Sequence, residues 1–325
     1  MVERVLGLRS RGALPHKGFV RWLERNDRAL RARFDFRAPA PWLPGRRHGL
    51  VLNWLQDPTD LRPFEARLAR GVERRAAARG VPVVNPCDAL DRCRKSVQSR
   101  ILRGVGIDTP PVGPVAGTPF PLVVRSDSVH AAPVWLCRSR ADLGAVDLAA
   151  IRAPVAAPFV DVRGPDGFFR KWRLLLLGQR ACPRHLQISR EWLVRMASRN
   201  LAPAHVAEEL AYTSGDDPHH AVLEVARRAL GLDMVAFDYS LRPGGGVVVW
   251  EANPQPEIWV EALERPAYAY QRPLLERLFS LWRDDVAARL RGSGGVSAAG
   301  RPGAIEPLRE SPPDPERDRR PGCSG

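Results

Sequence analysis

The sequence predicts an α+β protein in which a small α/β domain precedes a larger domain. Two observations predict this class. Residues 48–85 contain an apolar strand, an amphipathic helix and a second apolar strand, the minimal crossover unit of a parallel sheet. Residues 234–250 contain two apolar runs joined by Arg242-Pro243-Gly244-Gly245, which is typical of a β-hairpin. The chain therefore combines parallel and antiparallel pairing.

Composition limits the classes of partner. The formal net charge of the 325 residues is +14, which favours anionic partners. Lysine occurs only at positions 17, 95 and 171, so the arginine excess resembles a GC-rich coding bias and we do not expect nucleic acid as a partner. The five cysteines have no regular spacing, which indicates neither a disulfide framework nor a zinc site. We expect a cytoplasmic protein without membrane association, because there is neither a membrane-spanning run nor a secretory signal.

Changes in composition along the chain predict four segments. The first is a basic extension and Pro-rich linker, with a helix between residues 17 and 33 that packs on the body or, alternatively, contacts nucleic acid. The last is rich in Gly, Ser, Pro and Arg, and we expect it to be disordered. The segments are a basic extension at 1–46, a small α/β domain at 47–87, a larger domain at 88–290 and a tail at 291–325.

The predicted hairpin carries polar residues in otherwise apolar strands. Glu251 and Asn253 are two residues apart and share one strand face, and Asp238 lies across the hairpin. A buried carboxylate needs a partner, and carboxylate and amide oxygens are ligands that Mg²⁺ accepts while it also binds phosphates. A magnesium site is one interpretation. A plain hairpin with its acids facing water is the other.

An Asp, a Glu thirteen residues later and then x-Asn-Pro resemble the metal-binding hairpin of the ATP-grasp superfamily, over about residues 85–285. The resemblance implies the ATP-grasp fold, in which two α+β subdomains clasp ATP behind a small α/β domain. It implies that Asp238 and Asn253 each hold one Mg²⁺ and that Glu251 bridges both. One departure is Ala236, where D-alanine ligases have arginine.

The same resemblance assigns residues to ATP. Lys95 matches a helix lysine that meets the phosphates, although a solvated helix lysine is the alternative. Arg125 stands where the family usually has a lysine for the α-phosphate. In the loop that follows, Ser128 and His130 could donate to the phosphates in place of the glycines often found there, and a surface loop histidine is the alternative for His130. Residues 155–162 match the adenine hinge, where Phe159 and Val160 supply backbone groups and Asp161 reaches the ribose.

The strand at 168–177 and the segment after it supply the expected catalytic and acceptor residues. Alternation places Lys171 and Arg173 on one face, and the resemblance implies that Arg173 faces the transferred phosphate or a substrate carboxylate. His185 and Trp192 are candidate residues of the acceptor pocket, the alternatives being a structural histidine and a core tryptophan.

The resemblance implies an ATP- and Mg²⁺-dependent ligase that activates a carboxylate as an acylphosphate for attack by an amine. The implied partners are small-molecule or peptide carboxylates and amines. One alternative within this fold is a small-molecule kinase. A non-catalytic protein that binds nucleotide or nucleic acid is the alternative from another class, favoured by the net charge of +14.

Overall fold

A parallel sheet of four strands in the order β2-β1-β3-β4 forms the first part of the fold. The computed structural model describes residues 3–10, 16–55, 62–128, 133–256, 258 and 264–292. The strands of this sheet are β1 (Arg4–Arg9), β2 (Phe34–Arg37), β3 (His48–Trp54) and β4 (Val83–Val84). The helices between them are α1 (Lys17–Asn26), α2 (Arg28–Ala32) and α3 (Pro63–Ala78).

The prediction that residues 1–46 form an extension outside the domain is wrong. β1 lies between β2 and β3 and pairs with both, so the α/β domain begins at the first described strand. Val5, Leu6 and Leu8 of β1 are fully buried, as a strand covered on both faces requires. The many arginines of this segment lie mostly on solvent-facing positions. They make the average composition of the segment basic, although its strand and helix have apolar faces. The predicted amphipathic helix of this domain is α3, in which Val72 is buried and Phe64 is exposed.

Two short helices follow the parallel sheet. The first of them, α4 (Cys87–Asp91), ends before α5 (Lys95–Gly104) begins. Between the two helices Arg94 has an extended backbone, with φ −57° and ψ 139°. The break makes Lys95 the first residue of a new helix, so its side chain lies at a helix N-terminus.

A small antiparallel sheet of three strands follows, in the order β6-β5-β7. Its apolar cluster includes Leu122, Val124 and Ala156. The helix that accompanies this sheet begins with a capping box formed by Ser139 and Asp142. Its elements are β5 (Leu122–Ser126), β6 (Trp135–Cys137), α6 (Arg140–Gly144) and β7 (Pro154–Pro158).

A larger antiparallel sheet of four strands, in the order β11-β10-β8-β9, completes the fold. The predicted hairpin is confirmed, with Gly244 and Gly245 at positive φ in its turn. The strands are β8 (Phe169–Leu177), β9 (Arg180–Ser189), β10 (Met234–Leu241) and β11 (Val247–Asn253). The accompanying helices are α7 (Pro203–Ser214), α8 (His220–Leu230) and α9 (Arg272–Gly292).

The two faces of the larger sheet are buried against different partners. One face shares a core with α9, α1 and β3, in which Phe19 and Trp282 stack with ring centroids 4.3 Å apart. The other face packs against α5 and α8, through residues such as Leu102 and Leu223. The sheet is therefore held on both sides, and polar residues within it are buried.

Some predictions fall outside the described part of the chain. His130 and the tail beyond Gly292 are among the residues that the structure does not describe. Of the helices in the described ranges, none combines the length and apolarity needed to cross a bilayer.

Candidate functional site

The β10–β11 hairpin places three oxygen-bearing side chains together. Asp238 is the cross-strand partner of Glu251, and Asn253 lies two residues further along β11, opposite Ala236. Directly opposed residues in an antiparallel pair have side chains on the same face of the sheet. Asp238 and Asn253 are buried, and the Glu251 side chain is 19% exposed. The alternative of a hairpin whose acids face water is thereby excluded for Asp238.

The register of the larger sheet extends this pair into a row across four strands. Glu251 of β11 pairs with Asp238 of β10, Asp238 pairs with Arg173 of β8, and Arg173 pairs with His185 of β9. Neighbouring strands are about 4.8 Å apart, so this row spans roughly 14 Å. We call Glu251, Asp238, Arg173 and His185 the central row. It contains one predicted residue from each strand of the sheet.

Asp238 is held by two cations from β8. Arg173 donates from Nε to Oδ1 at 2.5 Å and from Nη2 to Oδ2 at 2.8 Å, and Lys171 Nζ lies 3.2 Å from Oδ2. Burial acts to raise the pKa of Asp238, but Arg173 and Lys171 outweigh it and hold the pKa well below its usual range. Both side chains reach the same carboxylate, so Lys171 and Arg173 lie on one face of β8.

Glu251 is paired with a buried lysine. Lys95 is 2% exposed, and its Nζ lies 3.2 Å from Glu251 Oε2, so it is not a solvated helix lysine. Burial lowers the pKa of Lys95 to about 8, against the opposing effect of the Glu251 carboxylate. Burial also acts to raise the pKa of Glu251, but Lys95 and then Arg125 hold it below its usual range. Arg125 of β5 therefore belongs to the same charge cluster.

Asp127 fixes the helix that carries Lys95. Its carboxylate accepts hydrogen bonds from the Ser96 backbone N–H at 2.8 Å, the Ser96 hydroxyl at 2.7 Å and Arg94 at 2.7 Å. This carboxylate closes the N-terminus of α5 from the neighbouring small sheet. Asp127 follows β5, the strand of Arg125, so one short segment positions both cations around Glu251.

The predicted hinge residues lie at the end of β7. The strand stops at Pro158, short of the expected Val162, and the Phe159 N–H donates to the Pro121 carbonyl at 2.8 Å. The Phe159 N–H is therefore already paired within the protein. Asp161 is exposed and accepts a bond from the Arg163 N–H at 3.0 Å.

The two candidate acceptor residues lie in different surroundings. Trp192 contacts Phe159 edge to face, with ring centroids 5.8 Å apart, so it borders the hinge. His185 is buried in the central row, and its Nε2 has no hydrogen-bond partner within the described ranges. Burial lowers the pKa of His185 well below its usual value, and Arg173 and Arg184 lower it further. His185 is therefore neutral at physiological pH.

Sequence reasoning missed several residues that shape the site. β9 was not predicted, because RACPRHLQIS alternates poorly and contains a proline. Gln98 of α5 accepts the Ala252 N–H at 2.9 Å and so holds β11 between Glu251 and Asn253. Asn85 donates to the Met234 and Pro254 carbonyls at 2.7 Å and 3.1 Å. Its position after a strand and before a proline was the only available signal.

The residues of the hairpin fit a divalent cation by their donor chemistry. A carboxylate offers about four lone-pair positions. Arg173 uses two on Asp238, and Lys171 and Lys95 form ion pairs of 3.2 Å with Asp238 and Glu251, so both acids retain acceptor capacity. In the described part of the chain, no group of three or more His, Cys, Asp and Glu residues could hold a metal. The predicted magnesium residues fall outside that definition, because they comprise two carboxylates and one amide.

Comparisons with known proteins agree with this architecture. No family model and no curated protein sequence matches the chain. Among solved structures, a RimK domain ATP-grasp protein from Sphaerobacter thermophilus DSM 20745 is similar with a TM-score of 0.53 and 19% identity, over 89% of this chain and 100% of that chain. The ATP-grasp ligase PsnB with its minimal precursor gives a TM-score of 0.52 and 14% identity, over 84% and 99%.

A third similar structure is the ADP complex of purK, an N5-carboxyaminoimidazole ribonucleotide synthetase. Its TM-score is 0.52 at 11% identity, over 79% of this chain and 72% of that chain. These similarities show that the chain has the ATP-grasp fold, with two α+β subdomains behind a small α/β domain. The predicted resemblance is confirmed at the level of the fold.

Proposed function

We propose that the protein is an ATP- and Mg²⁺-dependent ligase that activates a carboxylate as an acylphosphate and joins it to an amine. The observation that carries the proposal is the charge of the site. Four cationic side chains surround two carboxylates in the described structure: Lys95, Arg125, Lys171 and Arg173 around Asp238 and Glu251. The excess of positive charge favours a polyanion such as the triphosphate of ATP.

The proposed roles follow the order of the strands. Lys95 and Arg125 hold the phosphates of ATP at the Glu251 end of the central row, and Arg173 with Lys171 face the γ-phosphate and the acid. Asp238, Glu251 and Asn253 are the ligands for Mg²⁺, which would neutralise charge on the phosphates when bound. Phe159 and Val160 contact the adenine through their backbone groups, and Asp161 contacts the ribose.

The chemistry consists of two displacements. A carboxylate oxygen of the substrate attacks the γ-phosphorus and ADP leaves. The amine then attacks the acyl carbon, so that the C–N bond forms, the C–O bond to phosphate breaks, and the amine proton is released with the phosphate. Positioning and neutralisation of charge are the main contributions of a protein to such phosphoryl transfers. Buried arginine and lysine side chains supply both, because their donors are already oriented by Asp238 and Glu251.

The test is a trapping experiment with a panel of carboxylic acids. With a correct acid, ADP release requires that acid, and added hydroxylamine yields the hydroxamate of the activated carboxyl group. A phosphate ester formed on a hydroxyl acceptor would replace the ligase by a kinase. If the protein binds nucleotide but releases no ADP with any of the acids, the non-catalytic binding protein would be favoured. A binding role for nucleic acid would also show a steep loss of affinity with salt.

A further inference from the structure

The β8–β9 pair contains a bulge next to the central row. Arg173 pairs with His185, but the next residue, Leu174, pairs with Pro183. Arg184 is therefore the extra residue on β9. A bulge of this kind redirects a side chain and is common beside functional sites. The redirected residue here is an arginine, and it borders the part of the site that the proposed ATP contacts leave free.

Arg184 is buried without an acidic partner in the described structure. It is 7% exposed, and its single hydrogen bond there runs from Nη1 to the Gln271 Oε1 at 3.3 Å. Burial and, to a smaller extent, the neighbouring Arg173 lower the pKa of Arg184 to about 10. A guanidinium has five N–H donors, and a buried cation is ordinarily paired.

The nearby acids are already used by other cations. Asp238 is bound by Arg173 and Lys171. Glu209 is bound by Arg199 and by the Tyr270 hydroxyl, and the Gln271 Nε2 also donates to it at 3.3 Å. Gln271 thus stands between Arg184 and the second acid. Among the residues that the structure describes, no carboxylate is paired with the positive charge of Arg184.

The position of Arg184 indicates which anion would pair with its guanidinium group. Its interacting neighbours are Arg173, Arg199 and Tyr270, whereas Lys95 and Arg125 interact with Glu251 at the other end of the central row. The phosphates of ATP are proposed at that other end. The Arg184 end is therefore free for the second reactant. A planar guanidinium fork matches a carboxylate through two parallel hydrogen bonds.

We propose that Arg184, with the neighbouring His185 ring, binds a carboxylate group of the acceptor substrate. We call this pair the β9 subsite. The assignment rests on the proposed ligase function, because it names the substrate class of that same site. It predicts an acceptor that carries a carboxylate besides its reacting amine, as an amino acid or the end of a peptide does.

The experiment measures anion binding without ATP, so it does not depend on turnover. N-acetylglycine, a carboxylate without a free amine, is titrated by calorimetry at constant ionic strength, and inorganic phosphate is titrated separately. We expect millimolar binding of N-acetylglycine to the unaltered protein. Arg184→Gln should weaken it about 10- to 100-fold, the value of one charge-assisted pair. Arg184→Lys should lie between, because it keeps the charge without the fork.

Arg180→Gln is the matched control, since Arg180 lies on the same strand and is exposed. It should leave N-acetylglycine binding unchanged. Unchanged binding in Arg184→Gln, or no binding to the unaltered protein, overturns the subsite. Loss of phosphate binding in place of carboxylate binding also overturns it and assigns Arg184 to the transferred phosphoryl group.

Thermal unfolding distinguishes a binding role from a purely structural one. Removal of an unpaired buried charge should raise the midpoint of Arg184→Gln by about 2–4 °C. A loss of several degrees would mean that Arg184 holds the fold through Gln271, and this outcome too overturns the proposal. If Arg184→Gln fails to fold, Arg184→Lys carries the titration.

The two proposals fail separately. Weakened N-acetylglycine binding together with an absence of acylphosphate trapping would retain the subsite and reject the ligase. Successful trapping with unchanged binding in Arg184→Gln would retain the ligase and reject the subsite.

Discussion

Asp238 and Arg173 form a two-point ion pair between adjacent strands, with both carboxylate oxygens of Asp238 bound to one guanidinium. The pair lies in the middle of the larger sheet, where Asp238 is 4% exposed. It fixes the orientation of the arginine that we place at the transferred phosphate. It also keeps a buried carboxylate ionised in the site that we propose binds Mg²⁺.

Asp238→Asn should lower the free energy of unfolding by about 3–5 kcal/mol, because it leaves Arg173 and Lys171 without their anion. Urea unfolding followed by circular dichroism measures this loss. The matched control is Asp166→Asn, which removes a two-point pair with Arg170 at a partly exposed site. That change should cost about 1 kcal/mol or less. Equal losses in the free energy of unfolding of the two variants would contradict the expectation that the buried pair costs more to break than the exposed one.

Arg173→Ala should reduce turnover far more than ATP affinity, because its proposed partner is the group that moves. Steady-state kinetics with the acid found by trapping and calorimetry with an ATP analogue measure the two effects. Arg170→Ala is the control on the same strand, because its side chain pairs with Asp166 and Glu208 outside the central row. A parallel loss of ATP affinity and turnover in Arg173→Ala would place Arg173 in ground-state binding.

Glu251→Gln should abolish the dependence of ATP binding on Mg²⁺ by removing the charge that the two proposed cations share. The amide keeps the shape of the side chain, so a general collapse of the site is not expected. Calorimetry of ATP binding with and without Mg²⁺ is the measurement. Glu224→Gln, at a helix site paired with Arg227 and Arg228, should retain the dependence. Retention of the dependence in Glu251→Gln would reject the metal assignment.

Asn85→Ala should destabilise the protein more than Asn85→Gly. Both changes remove the two bonds that Asn85 donates and the two it accepts from the Asp233 and Met234 N–H groups at 2.9 Å and 3.0 Å. Asn85 has φ 54°, which glycine adopts freely and alanine does not. We expect about 2 kcal/mol or more for glycine and about 1 kcal/mol in addition for alanine.

The measurement for Asn85 is again urea unfolding. Asn26→Ala, at an exposed helix end, serves as the control and should change stability by about 0.5 kcal/mol or less. Equal stability of the Gly and Ala variants would show that the backbone conformation at residue 85 carries no strain.

His16 should make stability depend on pH. Burial lowers its pKa to about 3 from the ordinary 6.5, so the folded state keeps a neutral ring while the unfolded state takes up a proton below pH 6.5. Stability is therefore lost as pH falls through this window. Between about pH 7.5 and 5.5 the loss due to His16 is about 1.4 kcal/mol. The stability gap between the unaltered protein and His16→Gln should narrow by that amount, and a constant gap would contradict it.

The hairpin was predictable because its signals are local. Pro243, Gly244 and Gly245 determine the turn, and the apolar runs beside them determine the strands. The position of Asp238 opposite Glu251 does not follow from the turn alone, because Tyr239 pairs with Val249 and a bulge at Trp250 then shifts the register by one residue. Alternation along β8 placed Lys171 and Arg173 on one face, as the bonds of both residues to Asp238 require.

The parts that could not be predicted depend on contacts between distant segments. β1 pairs with β3 across more than forty residues, and no local pattern of the arginine-rich segment indicates that pairing. The bulge at Arg184 arises from how β9 registers against β8, which a single strand sequence does not specify. Lys95 is buried because Asp127 and Glu251 meet its helix from two other segments.

The shared core of α1, β3 and α9 has a consequence for how the chain is made. The Trp22 indole donates to Glu276 at 2.5 Å, although the two residues are 254 positions apart. At about 5–20 residues per second, a ribosome delivers the second partner roughly 10–50 s after the first. Throughout that interval Phe19, Trp22 and Trp54 lack the helix that covers them. The nascent protein therefore presents an aromatic surface to chaperones until α9 has emerged.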